Sequence, residues 1–207
     1  MKGAQKPDHV SLAGLVDWLH EGRFVIPDFQ REFEWKPWDI NELMRSIFLD
    51  YYIGSLLLWK GRNDSFDALS CEPIYGYQDG GKRAEIVLDG QQRLTAMHYT
   101  FFAPDVPLPN RVNRFLFYIR VDRFMDEAYE DAFDYEWAKG WAKILENRDE
   151  QFSRHIFPLA VVGEGDWALP EWAQGYVKYW EGRAASAEDE PDAAMAARHV
   201  ELSLIHI

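Results

Sequence analysis

The chain has 207 residues, 47% hydrophobic and 15% aromatic, which excludes a disordered chain and predicts a buried core. A net charge of −13 excludes a module that holds duplex DNA by bulk attraction to phosphate, and a single cysteine, Cys71, excludes a disulfide framework or a multi-cysteine metal site. No apolar run approaches the roughly 18 residues of a spanning helix, and the first ten residues lack a secretory apolar segment, so no membrane contact and a cytoplasmic setting are expected.

Ser11 is placed to cap a first helix, in which Leu12, Leu15, Val16 and Leu19 recur at helical spacing until Gly22. Residues 23–27 read as a short strand, with Pro27 at its end or on a sheet edge. Residues 28–35 (DFQREFEW) are too polar for a core strand and too aromatic for a plain loop. Pro37 suits a first helical position, Asp39 the acidic first turn, and Ile40, Leu43, Met44, Ile47 and Phe48 mark one face of a helix ending near Asp50. Residues 53–59 form a continuous apolar run and predict a strand buried on both faces. Residues 60–82 predict a loop with a short edge strand at 74–77.

Residues 84–102 (AEIVLDGQQRLTAMHYTFF) are the organising stretch: a buried strand at 85–88, an Asp89-Gly90 turn, and a helix opening at Gln91. A strand, a glycine turn and a helix N-terminus together converge backbone N–H groups on an anion. Arg93 is out of place there, because the positive end of a helix disfavours a cation by about 0.3–1 kcal/mol. Something negative is expected beside it, and phosphate is the first candidate.

Residues 104–110 are a linker, and 114–121 alternate cleanly, with Phe115, Phe117, Ile119 and Val121 on one face of a half-buried strand. Residues 122–147 predict one long helix with an acidic outer face (Asp126, Glu127, Glu130, Asp131, Asp134, Glu136), read as a solvated surface rather than a metal site. A last short strand at 157–162 and a helix at 167–183 follow, then a linker or frayed helix at 184–197. The apolar end, with Leu202, Leu204, Ile205 and Ile207, reads as a cut inside a larger protein or as non-native sequence.

Two stretches carry the chemistry, 26–31 (IPDFQR) and 89–95 (DGQQRLT), each with Gln-Arg where regular structure begins or ends. Arginine forks match phosphate oxygens, and glutamine can hold a water, a ribose hydroxyl or a base edge. Two such arms meeting at one helix N-terminus would make a triphosphate pocket, with Asp89 assisting Mg2+ or orienting Arg93. The plainer reading makes Asp89 the helix cap, Gly90 the turn and the glutamines solvated. Thr95, one turn into the helix, could touch Mg2+ as a P-loop Ser/Thr does, yet no GxxxxGK precedes it. Cys71 has no evident base beside it and reads as a structural thiol, and His98, on the apolar face with Leu94, Met97 and Phe101, as a core histidine. Lys82, Arg83, Arg111, Arg114, Arg120 and Arg123 read as scattered surface charge.

IPDFQREFEW, YIGSLLLW and VLDGQQRLT, in this order and at these separations, resemble the N-terminal domain family of GmrSD-type restriction endonucleases, within the ParB/sulfiredoxin-like group of folds. The resemblance covers residues 10–165 and is carried by Ile26, Pro27, Phe29, Gln30, Arg31, Gly54, Ser55, Asp89, Gly90, Gln91, Gln92 and Arg93. Tyr52 departs from it, standing where the family usually has proline. The fold expected is α+β: a ParB/sulfiredoxin-like small mixed sheet flanked by helices over 10–165, then a helical extension at 166–207. The resemblance implies binding and hydrolysis of an NTP (GTP or ATP) with Mg2+, coupled to restriction of foreign, often modified, DNA. Asp89, Gln91 and Arg93 are the expected catalytic residues, with Asp89 at the metal, and Gln30, Arg31, Gly54, Ser55, Gly90, Gln92 and Thr95 the expected nucleotide-binding ones. DNA would be reached through other domains or a partner chain, including an HNH-type nuclease, since the six scattered histidines form no such motif. A homo-oligomer is left open. The alternatives are a ParB-like nucleotide switch without hydrolysis, or a DNA- or partner-binding module docking through the acidic helix at 122–147.

Overall fold

The computed structural model describes residues 9–77 and 81–186. Helix α1 (Leu12–His20) begins where Ser11 Oγ accepts from the Gly14 N–H at 3.1 Å. It ends before Gly22 and leads into β1 (Phe24–Ile26). Helix α2 (Pro37–Phe48) has proline first, and the Asp39 carboxylate accepts from the Lys36 N–H at 2.9 Å, so the predicted start is the observed one. Strand β2 (Leu57–Lys60), the short α3 (Asn63–Ala68), β3 (Glu72–Pro73), β4 (Glu85–Asp89) and α4 (Gln91–Phe102) complete the first half. The second half runs β5 (Phe115–Arg120), α5 (Val121–Met125), α6 (Tyr129–Ala132), β6 (Phe133–Trp137), α7 (Ala138–Glu146), α8 (Arg148–Ser153) and β7 (Ile156–Pro158). A 3-10 helix (Leu159–Glu164) and α9 (Ala168–Ser186) follow.

The fold is α+β, with two small sheets flanked by helices. The first, ordered β2-β4-β1-β3, is mixed: β1 and β4 are parallel, with Phe24 opposite Glu85 and Val25 opposite Ile86, and both outer strands are antiparallel to their neighbours. The second, ordered β6-β5-β7, is wholly antiparallel. Helix α4 is the hub. Every residue from Leu94 to Phe101 is buried, so it is apolar-facing all round, as a helix enclosed by protein must be. One core gathers Leu19, Phe24, Ile40, Met44, Val87, Leu94, Met97, Phe117, Leu159 and Tyr176 about it. Helix α9 joins that same core: Trp172 packs edge-on against Phe152 and its Nε1–H donates to Gln151 Oε1 at 2.8 Å.

Several expectations give way to tertiary context. The long helix at 122–147 does not form. Glu127 takes a positive φ of 59° and ends the first helical piece, and Phe133, Tyr135 and Trp137 alternate with Asp134 and Glu136 to make β6. A period of two lay inside the helical stripe, and five register pairs with β5, from Phe115↔Trp137 to Ile119↔Phe133, decide for it. The docking face proposed for that helix therefore has no helix to carry it.

The run at 53–59 is not a doubly buried strand. Its pairing part is the edge strand β2, where Leu57 and Trp59 are exposed. The doubly buried strand is β4, with Ile86 and Val87 fully enclosed. The edge strand expected at 74–77 is β3 at Glu72–Pro73, and 74–77 is a turn closed by the Tyr77 N–H on Ile74 O. Strand β7 stops at Pro158, and 159–164 is 3-10 rather than extended. Strand β5 is buried on both faces, because Trp141 of α7 stacks on Tyr118 at 4.5 Å and closes the face expected to be wet. Of the segment 184–197, only Ala184 to Ser186 fall within the described residues, as the end of α9; the apolar C-terminus lies outside them.

Candidate functional site

The chain leaves the C-terminal end of β4 at Asp89, turns at Gly90 and enters α4 at Gln91, as the sequence predicts. Gly90 is the N-cap residue, not Asp89. Its φ of +94° is left-handed, and a Cβ there would stand 2.3 Å from Leu56 Cδ2, so only glycine fits. Among the described residues no side chain caps this end of α4, which leaves first-turn N–H groups facing outward.

Two other segments meet the turn. The first leaves the C-terminal end of β1, which is parallel to β4 and therefore ends at the same edge of the sheet. Its turn is closed by the Gln30 N–H on Pro27 O, and Gln30 Nε2 then donates to Leu88 O at 3.0 Å. Further along, Gln92 binds the same segment twice: Oε1 accepts from the Glu34 N–H and Nε2 donates to Glu32 O, both at 3.0 Å. An amide side chain that satisfies one N–H and one C=O of a passing backbone replaces a missing strand partner.

The second segment connects α2 to β2, and Arg93 holds it. Nη1 donates to Ile53 O and Nη2 to Ser55 O, each at 2.8 Å, and Nη2 also lies 3.3 Å from Asp89 Oδ2. This answers the question its position raised. The negative partners of the misplaced arginine are two backbone carbonyls and the carboxylate four residues upstream. Hydrogen bonds of this charge-assisted kind contribute about 1.5–3 kcal/mol each, more than the helix dipole opposes.

The expected site residues thus fall into two groups. Gln30, Gln92 and Arg93 are tied to backbone, and the Arg93 side chain is only 16% exposed. Gly54 and Gly90 supply close approach, Ser55 lends its carbonyl, and Thr95 is buried within the first turn and a half of α4. Asp89 and Arg31 are accessible: the Asp89 side chain is 68% exposed, and Arg31 has only a loose 3.7 Å pairing with Glu34. Gln91 stands first on the helix, half-buried. Leu56, which walls Gly90, and the Ile53 carbonyl were not anticipated, because apolar and backbone groups leave no motif. Phe29 and Tyr52, both exposed, lie on the two segments that meet the turn. The aromatic excess of 28–35 and the place of Phe29 in the IPDFQR motif were the signals for that ring.

Other candidates resolve simply. Cys71 is buried with Val25, Phe66 and Ile86, and burial pushes its thiol pKa up. His98 is buried against Tyr77 and Phe102, and desolvation lowers its pKa to about 4. Arg114, Arg120 and Arg123 each pair with an aspartate, at 3.3, 3.2 and 3.8 Å, which makes them local partners rather than a basic track. Arg120, Arg123, Glu130, Asp131 and Asp134 line a polar cleft of about 470 Å³. Among the described residues no group of three or more His, Cys, Asp or Glu is placed to hold a metal, and no helix is long and apolar enough to cross a membrane.

Over residues 12–162, which take in both sheets and the site, the chain matches the GmrSD restriction endonuclease N-terminal domain. It belongs to that family. The match ends inside the 3-10 helix, before α9. The chain is also 29% identical over 177 residues to an uncharacterized protein of Methanocaldococcus jannaschii, a match covering 80% of this chain and 30% of that relative. The chain thus spans about a third of the length of the curated relative it matches.

Proposed function

We propose that this GmrSD domain binds and hydrolyses a nucleoside triphosphate, GTP or ATP, and so regulates restriction of foreign, including modified, DNA by a larger assembly. The observation that carries the reading is the meeting of three segments around an uncapped helix N-terminus, at the edge of the sheet where parallel β1 and β4 both end. Open α/β sheets bind ligands in that place, outside the carboxyl ends of their strands, and helix N-termini bind phosphate there.

The roles follow from which groups are free. The first-turn N–H groups of α4 take a phosphate, and glycine at 54 and 90 makes room for Arg93 and Leu56, which pack the turn from within. Arg31, exposed and loosely paired, supplies mobile positive charge. Arg93 acts by holding Ile53, Ser55 and Asp89 in place. Gln91, first on the helix, orients water. The accessible carboxylate on the turn, Asp89, fits Mg2+, which commonly takes one or two carboxylates with substrate phosphates, and the ion would offset phosphate charge. Positioning and charge stabilisation are what phosphoryl transfer asks of a protein. DNA contact and cutting are assigned to other domains or a partner chain.

Phosphate release from GTP and ATP in the presence of Mg2+ tests the reading. Turnover that Asp89→Ala abolishes supports it, and turnover unchanged in that variant refutes the site. One observation favours the nucleotide-switch alternative: both Nη atoms of Arg93 are already committed to protein oxygens, which leaves Arg31 to face the transferring phosphoryl group. Single-turnover measurements separate the two, since binding without release identifies a switch.

A further inference from the structure

Three large rings stand in solvent on the segments that embrace the β4–α4 turn, Phe29, Tyr51 and Tyr52, and two of them adjoin a residue that binds the turn directly. Phe29 is 63% exposed and Tyr52 is 88% exposed. Neither belongs to a loose tip. Phe29 precedes Gln30, which is fastened to Leu88 O at 3.0 Å, and follows Asp28, whose N–H donates to Leu69 O at 3.3 Å. Tyr52 precedes Ile53, whose carbonyl receives Arg93 Nη1 at 2.8 Å. Each ring is therefore one residue from a bond that fixes its backbone to the strand end or first helical turn of the site. Leaving a ring on a fixed backbone in water forgoes the stabilisation of burying it.

Resting on the nucleotide reading above, we infer that Phe29 and Tyr52 are the base-binding residues of the site: the nucleobase of the bound triphosphate stacks on these rings while its phosphates meet α4. The chemistry suits this division. The phosphate end offers backbone N–H groups and a mobile arginine, whereas Phe29 carries no polar atom and Tyr52 only a terminal hydroxyl, so the rim attracts a flat π-face. A stacking rim reads the presence of a base more than its edge pattern, so purine triphosphates share it. Asp28, Glu32 and Glu34 are exposed on the same segment as Phe29, and Asp89 on the turn itself, which weighs against a long run of nucleic-acid phosphates as occupant.

The test measures calorimetric affinities of the chain for GTP, for ATP and for inorganic tripolyphosphate, each with Mg2+, in wild type, Phe29→Ala and Tyr52→Ala. Both residues are exposed, so the variants should fold; unchanged circular dichroism checks this. The expected result is a loss of about tenfold in nucleotide affinity for each variant with tripolyphosphate affinity unchanged. Wild-type nucleotide affinity in both variants overturns the inference and leaves the phosphate site standing. An equal loss for tripolyphosphate also overturns it, since the rings would then shape the phosphate end. Failure of the wild type to bind either nucleotide or tripolyphosphate overturns the nucleotide reading itself.

Discussion

Gly54 and Arg93 are built around each other. A Cβ on Gly54 would stand 2.4 Å from Arg93 Nη1, while the guanidinium that needs this space donates to the carbonyls on either side of the glycine, Ile53 and Ser55. Gly54 also adopts a φ of +91°, which a side chain would disfavour. Gly54→Ala should therefore lose both the arginine's seat and the backbone's ease, about 2–4 kcal/mol together. In an Arg93→Ala background only the backbone share should remain. Urea denaturation of the four proteins of that cycle checks this, and identical costs in the two backgrounds would show that the two residues are not coupled.

Gln92 supports the β1 exit by a different route, one acceptor and one donor on Glu34 N–H and Glu32 O. Gln92→Glu removes the donor and adds a charge where Glu32 and Glu34 already lie. It should cost about 1–3 kcal/mol and expose residues 28–35 to proteolysis before the rest of the chain. Limited digestion followed by mass spectrometry reads the order of cleavage. Uniform protection would mean that the segment is held by something else.

Gln151 does comparable work far from the site. Fully buried, its amide donates to Ile144 O and Leu145 O at 3.0 Å and accepts from Trp172 Nε1 and Arg148 Nη1, at 2.8 and 3.2 Å. It joins α7, α8 and α9 in one polar knot. Gln151→Leu leaves four groups without their partner and should lower stability by about 2–4 kcal/mol. Nucleotide affinity should not change. A melting temperature within a degree or so of wild type would contradict the buried network.

His98 gives the fold a pH dependence. Burial lowers its pKa from 6.5 to about 4, against a smaller opposing effect of its bond to the Tyr75 backbone. The folded state therefore favours the neutral ring. Its contribution is fully present above pH 6.5, where the unfolded chain is also neutral, and is lost as the pH falls towards about 4, because the unfolded state takes up the proton first. The slope from this one group is at most about 1.4 kcal/mol per pH unit. Denaturation midpoints at pH 7 and pH 5 should differ less in His98→Leu than in wild type. Equal differences would place the dependence on other groups.

Much of this was legible along the chain. Ser11, Pro37 with Asp39, and the Asp89-Gly90 turn are local devices, and local devices sit in the sequence next to what they shape. The misplaced Arg93 was a local anomaly as well, and the turn it marks is where three segments meet. What it could not reveal was its partner, because carbonyl oxygens at residues 53 and 55 are the same atoms at every position. The apolar run at 53–59 looked like the inside of a sheet, yet apolar composition does not say on which side of β4 a strand will lie, and β2 became the edge.

The stretch at 122–147 shows the limit most clearly. Its apolar residues satisfy a helical stripe and, at 133–137, a two-residue alternation, and local preference was nearly balanced between them. Pairing with β5 decided, since a strand with five register partners satisfies backbone groups and packs Tyr135 edge-on against Phe115 and tilted against Phe117, at 6.0 and 5.8 Å. By itself the sequence determined the fold class, the starts of the first two helices, the glycine turn and the two Gln-Arg motifs, all set by the chemistry of neighbouring residues. The tertiary structure alone decided that those motifs meet, and that Arg93 and Gln92 bind protein backbone while Asp89, Arg31, Phe29 and Tyr52 face solvent, because which polar groups remain free is settled only when distant segments have claimed the others.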